Sequence, residues 1–174
     1  MQRYFSVVGY SGSGKTILIR SLVKELRARG YKVAVVKHDA RDHGSADKKG
    51  SDTDLFWEAG SEAVILSSPS RLALFRRTGQ DLPLEELLHL CGEVDCIILE
   101  GYKSRPYPRI VLWSEQEPLP YLPDAEILAL VYKKEDGHNI RQQDYDRKVP
   151  LICRDDINGL ANLLEQFLQR EVQA

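Results

Sequence analysis

Gly9-Tyr10-Ser11-Gly12-Ser13-Gly14-Lys15-Thr16 matches GxxxxGK[ST] without a gap. The match follows an apolar run, Tyr4 to Val8, and opens a stretch of helical period. In that stretch Leu18, Leu22 and Leu26 share one stripe, flanked by Ile19 and Val23. A chain built this way is committed to strand, glycine-rich turn and helix. The pattern itself arises by chance in on the order of one chain in a hundred of this length; its place between a buried strand and an amphipathic helix makes it far more specific. Glycines let backbone N–H groups curl around an anion. The helix behind them turns its positive end toward the same point. A lysine in the seventh position reaches β- and γ-phosphates, and the hydroxyl in the eighth ligates Mg²⁺. The phosphate-contact candidates are therefore Gly9, Ser11, Gly12, Ser13, Gly14, Lys15, Thr16 and Ile17.

Gly30 stands where a helix C-cap glycine belongs, and Lys32 to Val36 reads as the next buried strand. Strand, helix and strand form a βαβ unit, which implies parallel pairing and a right-handed crossover. A polar loop is predicted over 39–52, then a short helix from Thr53 to Ala59 ended by Gly60. Ala63–Leu66 and Leu72–Phe75 read as a strand pair, and Pro83–Cys91 as a helix. Further strands are predicted at Ile97–Leu99, Ile110–Trp113, Ile127–Tyr132 and Pro150–Cys153, with irregular chain at Ser114–Asp124. Leu160, Leu163, Leu164, Phe167 and Leu168 give a terminal amphipathic helix over Asn158–Arg170.

Composition excludes several classes. Lys+Arg number 24 and Asp+Glu 26, a net charge of −2, which gives no support for a nucleic-acid binder. The longest apolar runs hold four or five residues, far below the ~20 of a membrane helix. Cys91, Cys96 and Cys153 form no CxxC pair, which argues against a disulfide framework or a zinc cluster. These features predict a soluble, cytoplasmic protein without nucleic-acid or membrane partners.

A nucleotide held through Mg²⁺ needs an acid at the tip of a neighbouring strand. In Asp95-Cys96-Ile97-Ile98-Leu99-Glu100-Gly101, Glu100 ends the apolar run at the carboxyl edge where open α/β sheets bind ligands. Asp95 lies roughly 16 Å away at the other end of the strand, so it reads as structural. Lys37 and His38 end the second strand at the same carboxyl edge. Lys37 has phosphates as an obvious partner; His38 fits a site role or a buried hydrogen-bonded one equally. Asp42, His43 and Asp47 follow in a His/Asp-rich loop that could bind a transition metal, but no recurrent ligand spacing links them, and His43 and Asp47 read best as solvated. Guanine is commonly read by NKxD, and the nearest stretch, Tyr132-Lys133-Lys134-Glu135-Asp136, lacks the asparagine. Arg76, Arg77, Arg105 and Arg109 read as surface arginines able to meet an anion.

Taken together, the motif Gly9–Thr16, Lys37-His38, Lys49-Gly50-Ser51-Asp52, Glu58-Ala59-Gly60, Glu100-Gly101-Tyr102-Lys103 and Pro108-Arg109-Ile110 resemble the MobB-type molybdopterin-guanine dinucleotide biosynthesis proteins. The resemblance covers residues 5–113, about two thirds of the chain. It departs at Ser51 and Arg109, where lysine is common in the family. The resemblance implies a single α/β, P-loop NTPase-like domain over 1–174, with a mostly parallel central sheet and helices on both faces. It implies a homodimer that binds GTP with Mg²⁺, hydrolyses it weakly, and assists the guanylyltransferase that attaches GMP to molybdopterin, with molybdopterin itself a further ligand. It makes Lys15, Glu100 and Asp52 the catalytic set, and Thr16, Glu100 and Asp52 the metal set. Lys37 and His38 would line the same pocket. Two competitors use the same loop: a small-molecule kinase, and a nucleotide-binding module that does not hydrolyse.

Overall fold

The computed structural model describes residues 3–39, 47–113, 125–134 and 148–170. They fall into two compact units, one of residues up to His38 and from Leu88 onward, the other spanning Asp39–Leu87.

The first unit is a six-stranded sheet. Its strands are β1 (Arg3–Val8), β2 (Val33–Lys37), β5 (Cys96–Glu100), β6 (Arg109–Trp113), β7 (Ile127–Tyr132) and β8 (Leu151–Cys153). Their spatial order is β2-β5-β1-β6-β7-β8, and every pairing is parallel. Burial on both faces explains why these strands read as unbroken apolar runs rather than alternating ones. All five residues of β6 and the first four of β5 are buried.

Alternation along the strands divides the core in two. Phe5, Val7, Ile98, Ile110 and Leu112 pack with Leu18, Leu22 and Leu26 of α1 (Lys15–Ala28) and with Leu160, Leu164 and Phe167 of α4 (Ile157–Gln169). Val8, Val111 and Leu130 lie between those positions and form a separate small cluster. The terminal helix thus packs on its own sheet. Arg29, just past the end of α1, fastens the two helices. It donates to Glu25 at 2.8 Å and reaches across to Glu165 and Asn162, both at 2.7 Å. The Glu25 bond, the Glu165 bond and both charges hold its pKa above the ordinary arginine value. Asp156 caps α4 by accepting from the Gly159 N–H at 2.9 Å.

The second unit holds α2 (Asp52–Glu58) and an antiparallel pair, β3 (Ala63–Ser68) with β4 (Arg71–Arg76). A two-residue turn, Pro69–Ser70, joins them, and each strand runs slightly beyond its predicted limits. Ser51 caps α2 by accepting from the Asp54 N–H. Arg77 lies 4.2 Å over the Trp57 ring and donates to the Trp57 carbonyl. Apolar exposure concentrates in this unit. Ile65 and Leu74 face each other across the pair, and with Leu72 they stand 64%, 42% and 71% exposed. The helix α3 (Leu84–Leu90) carries the chain from one unit to the other. No helix among the described residues is long and apolar enough to cross a membrane.

Candidate functional site

The loop 9–14 runs from the end of β1 to the start of α1. Gly12 and Gly14 hold φ of 77° and 97°, values that need glycine, and Gly14 is the α1 N-cap. Gly9 meets a different demand. A side chain there would come within 2.9 Å of both the Leu112 carbonyl oxygen and Ser13 Oγ. The Ser13 hydroxyl is buried and has no hydrogen-bond partner among the described residues. Lys15 Nζ folds over the loop and donates to the carbonyls of Gly9 at 3.1 Å and Tyr10 at 2.6 Å. Ser11 is exposed at the tip, and Ile17 is 61% exposed on the first turn of α1.

Glu100 ends β5, the strand next to β1. The Thr16 hydroxyl donates to Glu100 Oε1 at 3.2 Å. Two oxygens that the sequence places 84 positions apart are therefore in contact. Both are hard oxygen donors of the kind that Mg²⁺ takes from a protein, which usually supplies only one or two and leaves the rest to phosphate and water. Among the described residues no group of three or more His, Cys, Asp or Glu could hold a metal ion. The donor set fits magnesium and does not resemble a transition-metal cage.

Lys37 pairs with Glu100 in the β2–β5 ladder, and its side chain is exposed. The His38 N–H extends that ladder by donating to the Glu100 carbonyl at 2.9 Å. The half-buried His38 ring lies 5.3 Å from the Tyr102 ring, so this histidine is a packed residue at the edge of the site. Gly101, with φ of 97°, passes so close to His38 that a side chain would sit 2.8 Å from its carbonyl oxygen. Asp95 is structural as expected: its Oδ2 accepts from the Lys32 N–H at 2.7 Å.

Asp52 is the exposed first residue of α2 and belongs to the second unit. Asp47 does more than the solvated loop expected of it. It accepts from the hydroxyls of Thr53 and Ser51 and from the Lys48 N–H, and the Thr53 bond leads in holding its carboxyl below the usual range. Asp42, His43, Glu135, Asp136 and the stretch Ser114–Asp124 lie outside the described residues.

Arg109 overturns a sequence expectation. It is 0% exposed rather than a surface side chain. Its guanidinium donates to the carbonyls of Tyr107, Lys103 and Arg105 and so gathers the loop that follows Glu100. Burial lowers its pKa. The signal was present in the sequence, since Arg109 opens the apolar run Ile110–Trp113, but a charged residue at a strand start usually faces water. Nothing in the sequence marks Arg154. It follows β8, and its Nη1 lies 3.2 Å from where a Cβ on Gly14 would be.

Comparison with known proteins follows the same lines. Residues 4–133 match the family model described as "Molybdopterin guanine dinucleotide synthesis protein B". A Bacillus subtilis protein named "Probable molybdopterin-guanine dinucleotide biosynthesis adapter protein" is 33% identical over 164 residues, covering 92% of this chain and 91% of its own. A Haemophilus influenzae protein, "Molybdopterin-guanine dinucleotide biosynthesis adapter protein", is 38% identical over 128 residues, covering 71% of each chain. The crystal structure of Bacillus subtilis MobB superimposes with a TM-score of 0.75 at 28% identity, covering 97% of this chain and 99% of the other. With the family model matched over most of the chain, the sheet order and the loop geometry, this chain belongs to the molybdopterin guanine dinucleotide synthesis protein B family.

Proposed function

We propose that this chain is a GTP-binding, weakly hydrolysing adapter in molybdopterin guanine dinucleotide biosynthesis, assisting the enzyme that joins GMP to molybdopterin. Family membership and the names of its relatives support the adapter role. The observation that carries the nucleotide reading is the contact between Thr16 Oγ1 and Glu100 Oε1 beside the glycine loop. These two oxygens would hold Mg²⁺. The bound ion would supply Lewis-acid stabilisation of charge on the β- and γ-phosphates. Lys15 would leave the Gly9 and Tyr10 carbonyls for phosphate oxygens. Loop N–H groups and the α1 N-terminus would bind the rest of the chain of phosphates, and the buried Ser13 hydroxyl has a proton to donate there. Lys37 and His38 would border the γ-phosphate from β2.

Phosphoryl transfer on such a site is positioning and electrostatics. The sequence shows no evident water-orienting glutamine or arginine finger, so turnover by the chain alone should be slow. A kcat in the kinase range of roughly 1–100 s⁻¹ would contradict the adapter reading. Calorimetric titration with GTP and with ATP, each with and without Mg²⁺, tests the ligand. The expected result is tighter binding of GTP, strengthened by Mg²⁺; equal affinity or a preference for ATP would favour a small-molecule kinase. Homodimerisation is part of the proposal, and the exposed apolar face of β3–β4 supports it, because a lone two-stranded sheet is marginal in water. Sedimentation should show a dimer at micromolar concentration; a monomer there would exclude it.

A further inference from the structure

Arg154 brings a second cation to the start of α1. The residue sits in the turn between β8 and α4, and its backbone N–H donates to the Tyr132 carbonyl at 2.7 Å, which fixes the turn to the end of β7. From there the side chain reaches Gly14, the N-cap of α1, with Nη1 3.2 Å from a Cβ built on that glycine. Gly14 provides no side-chain cap, and the first turn of α1 contains no acidic residue. A guanidinium at the positive end of a helix is unfavourable unless an anion joins them. The ion pair Arg154 makes among the described residues is with Asp155, at 3.9 Å, and that carboxylate is 63% exposed. It neutralises little in that position.

Sheet order says which part of an anion Arg154 can meet. Glu100 and Thr16 mark the β5 side of β1, where the metal and the terminal phosphate belong on the reading above. Arg154 comes from β8, on the opposite side of β1 beyond β6 and β7. A nucleotide whose γ-phosphate lies by Thr16 and Glu100, and whose phosphates follow the loop, presents its inner phosphates and nucleoside toward Arg154. We propose that Arg154 is a nucleotide-binding residue that grips the α-phosphate end of the ligand, opposite the metal end. The proposal rests on the loop being the GTP site and goes beyond it by assigning a side chain from the last βα turn. Lys15 and Thr16 are common to every loop of this kind; Arg154 serves binding common to di- and triphosphates, not the reacting γ-phosphate.

The test is calorimetric titration of the full chain and of Arg154→Ala and Arg154→Lys with GTP and GDP in the presence of Mg²⁺, alongside single-turnover GTP hydrolysis. The alanine variant should weaken GTP and GDP by the same factor, about tenfold, the low end for a charge-assisted hydrogen bond from a side chain one quarter exposed. Lysine should recover part of the loss, and the hydrolysis rate of bound GTP should stay within about twofold. Unchanged affinities in a variant with wild-type circular dichroism would overturn the assignment to Arg154 alone. So would a loss confined to GTP or to hydrolysis, which would put the guanidinium at the γ-phosphate. Wild-type protein that binds neither GTP nor GDP would overturn the nucleotide reading itself, and Arg154 with it.

Discussion

Lys15→Ala is expected to weaken Mg²⁺–GTP binding by about a hundredfold, with little change in folding. The ammonium is the only loop side chain that can place a full positive charge on the β- and γ-phosphates. A hydrogen bond to a charged partner contributes about 1.5–3 kcal/mol, and one ammonium can serve two phosphates. In the protein as described, Lys15 donates to the Gly9 and Tyr10 carbonyls. Those carbonyls lie in a partly buried loop that solvent reaches, so the variant should unfold close to the wild-type midpoint. Titration calorimetry and thermal melts check both halves. An affinity within threefold of wild type would mean that the phosphates do not lie in this loop.

Gly101→Ala is the second large effect, and it acts on stability and metal response together. The residue has φ of 97°, a conformation that costs an alanine about 1–2 kcal/mol. Its new methyl group would also stand 2.8 Å from the His38 carbonyl oxygen, part of the backbone that leaves β2. One strand exit must move, at the ~1–3 kcal/mol typical of overpacking. The sum, about 2–5 kcal/mol, should lower Tm by roughly 4–20 °C for a chain of this size. Because Glu100 precedes Gly101 directly, the shift should also loosen the Thr16–Glu100 contact and blunt the effect of Mg²⁺ on GTP affinity. An unchanged melting temperature would show that the close approach of Gly101 and His38 does not constrain the strand exits.

Much of this arrangement could be read from residues alone, for physical reasons that differ between positions. The glycine loop was legible because φ above zero and backbone approach both demand glycine, and because a strand and an amphipathic helix flank it. Glu100 was legible because a carboxylate closing a fully apolar strand has few reasons to be there, and edge geometry then set it apart from Asp95. The sheet order β2-β5-β1-β6-β7-β8 was not legible, since parallel pairing over long connections leaves no local mark in the sequence. For that reason Arg154 escaped notice: only the fold brings the turn after β8 to Gly14. Arg109 was misread because burial of an arginine depends on the carbonyls available to it, here three from its own loop. Asp47 was undervalued for a similar reason, as its partners Ser51 and Thr53 become hydroxyl donors to it only once α2 is capped.

On the proposed function, Thr16 and Glu100 are two halves of one magnesium-dependent nucleotide site. Mg²⁺-dependent GTP affinity of the wild type, Thr16→Ala, Glu100→Gln and the double variant decides the matter. Each single substitution should remove most of the gain in affinity that Mg²⁺ provides, and the double variant should lose little more than either one, because both oxygens act on the same ion. Losses that simply add, or a Mg²⁺ response that survives in all three variants, would contradict the account.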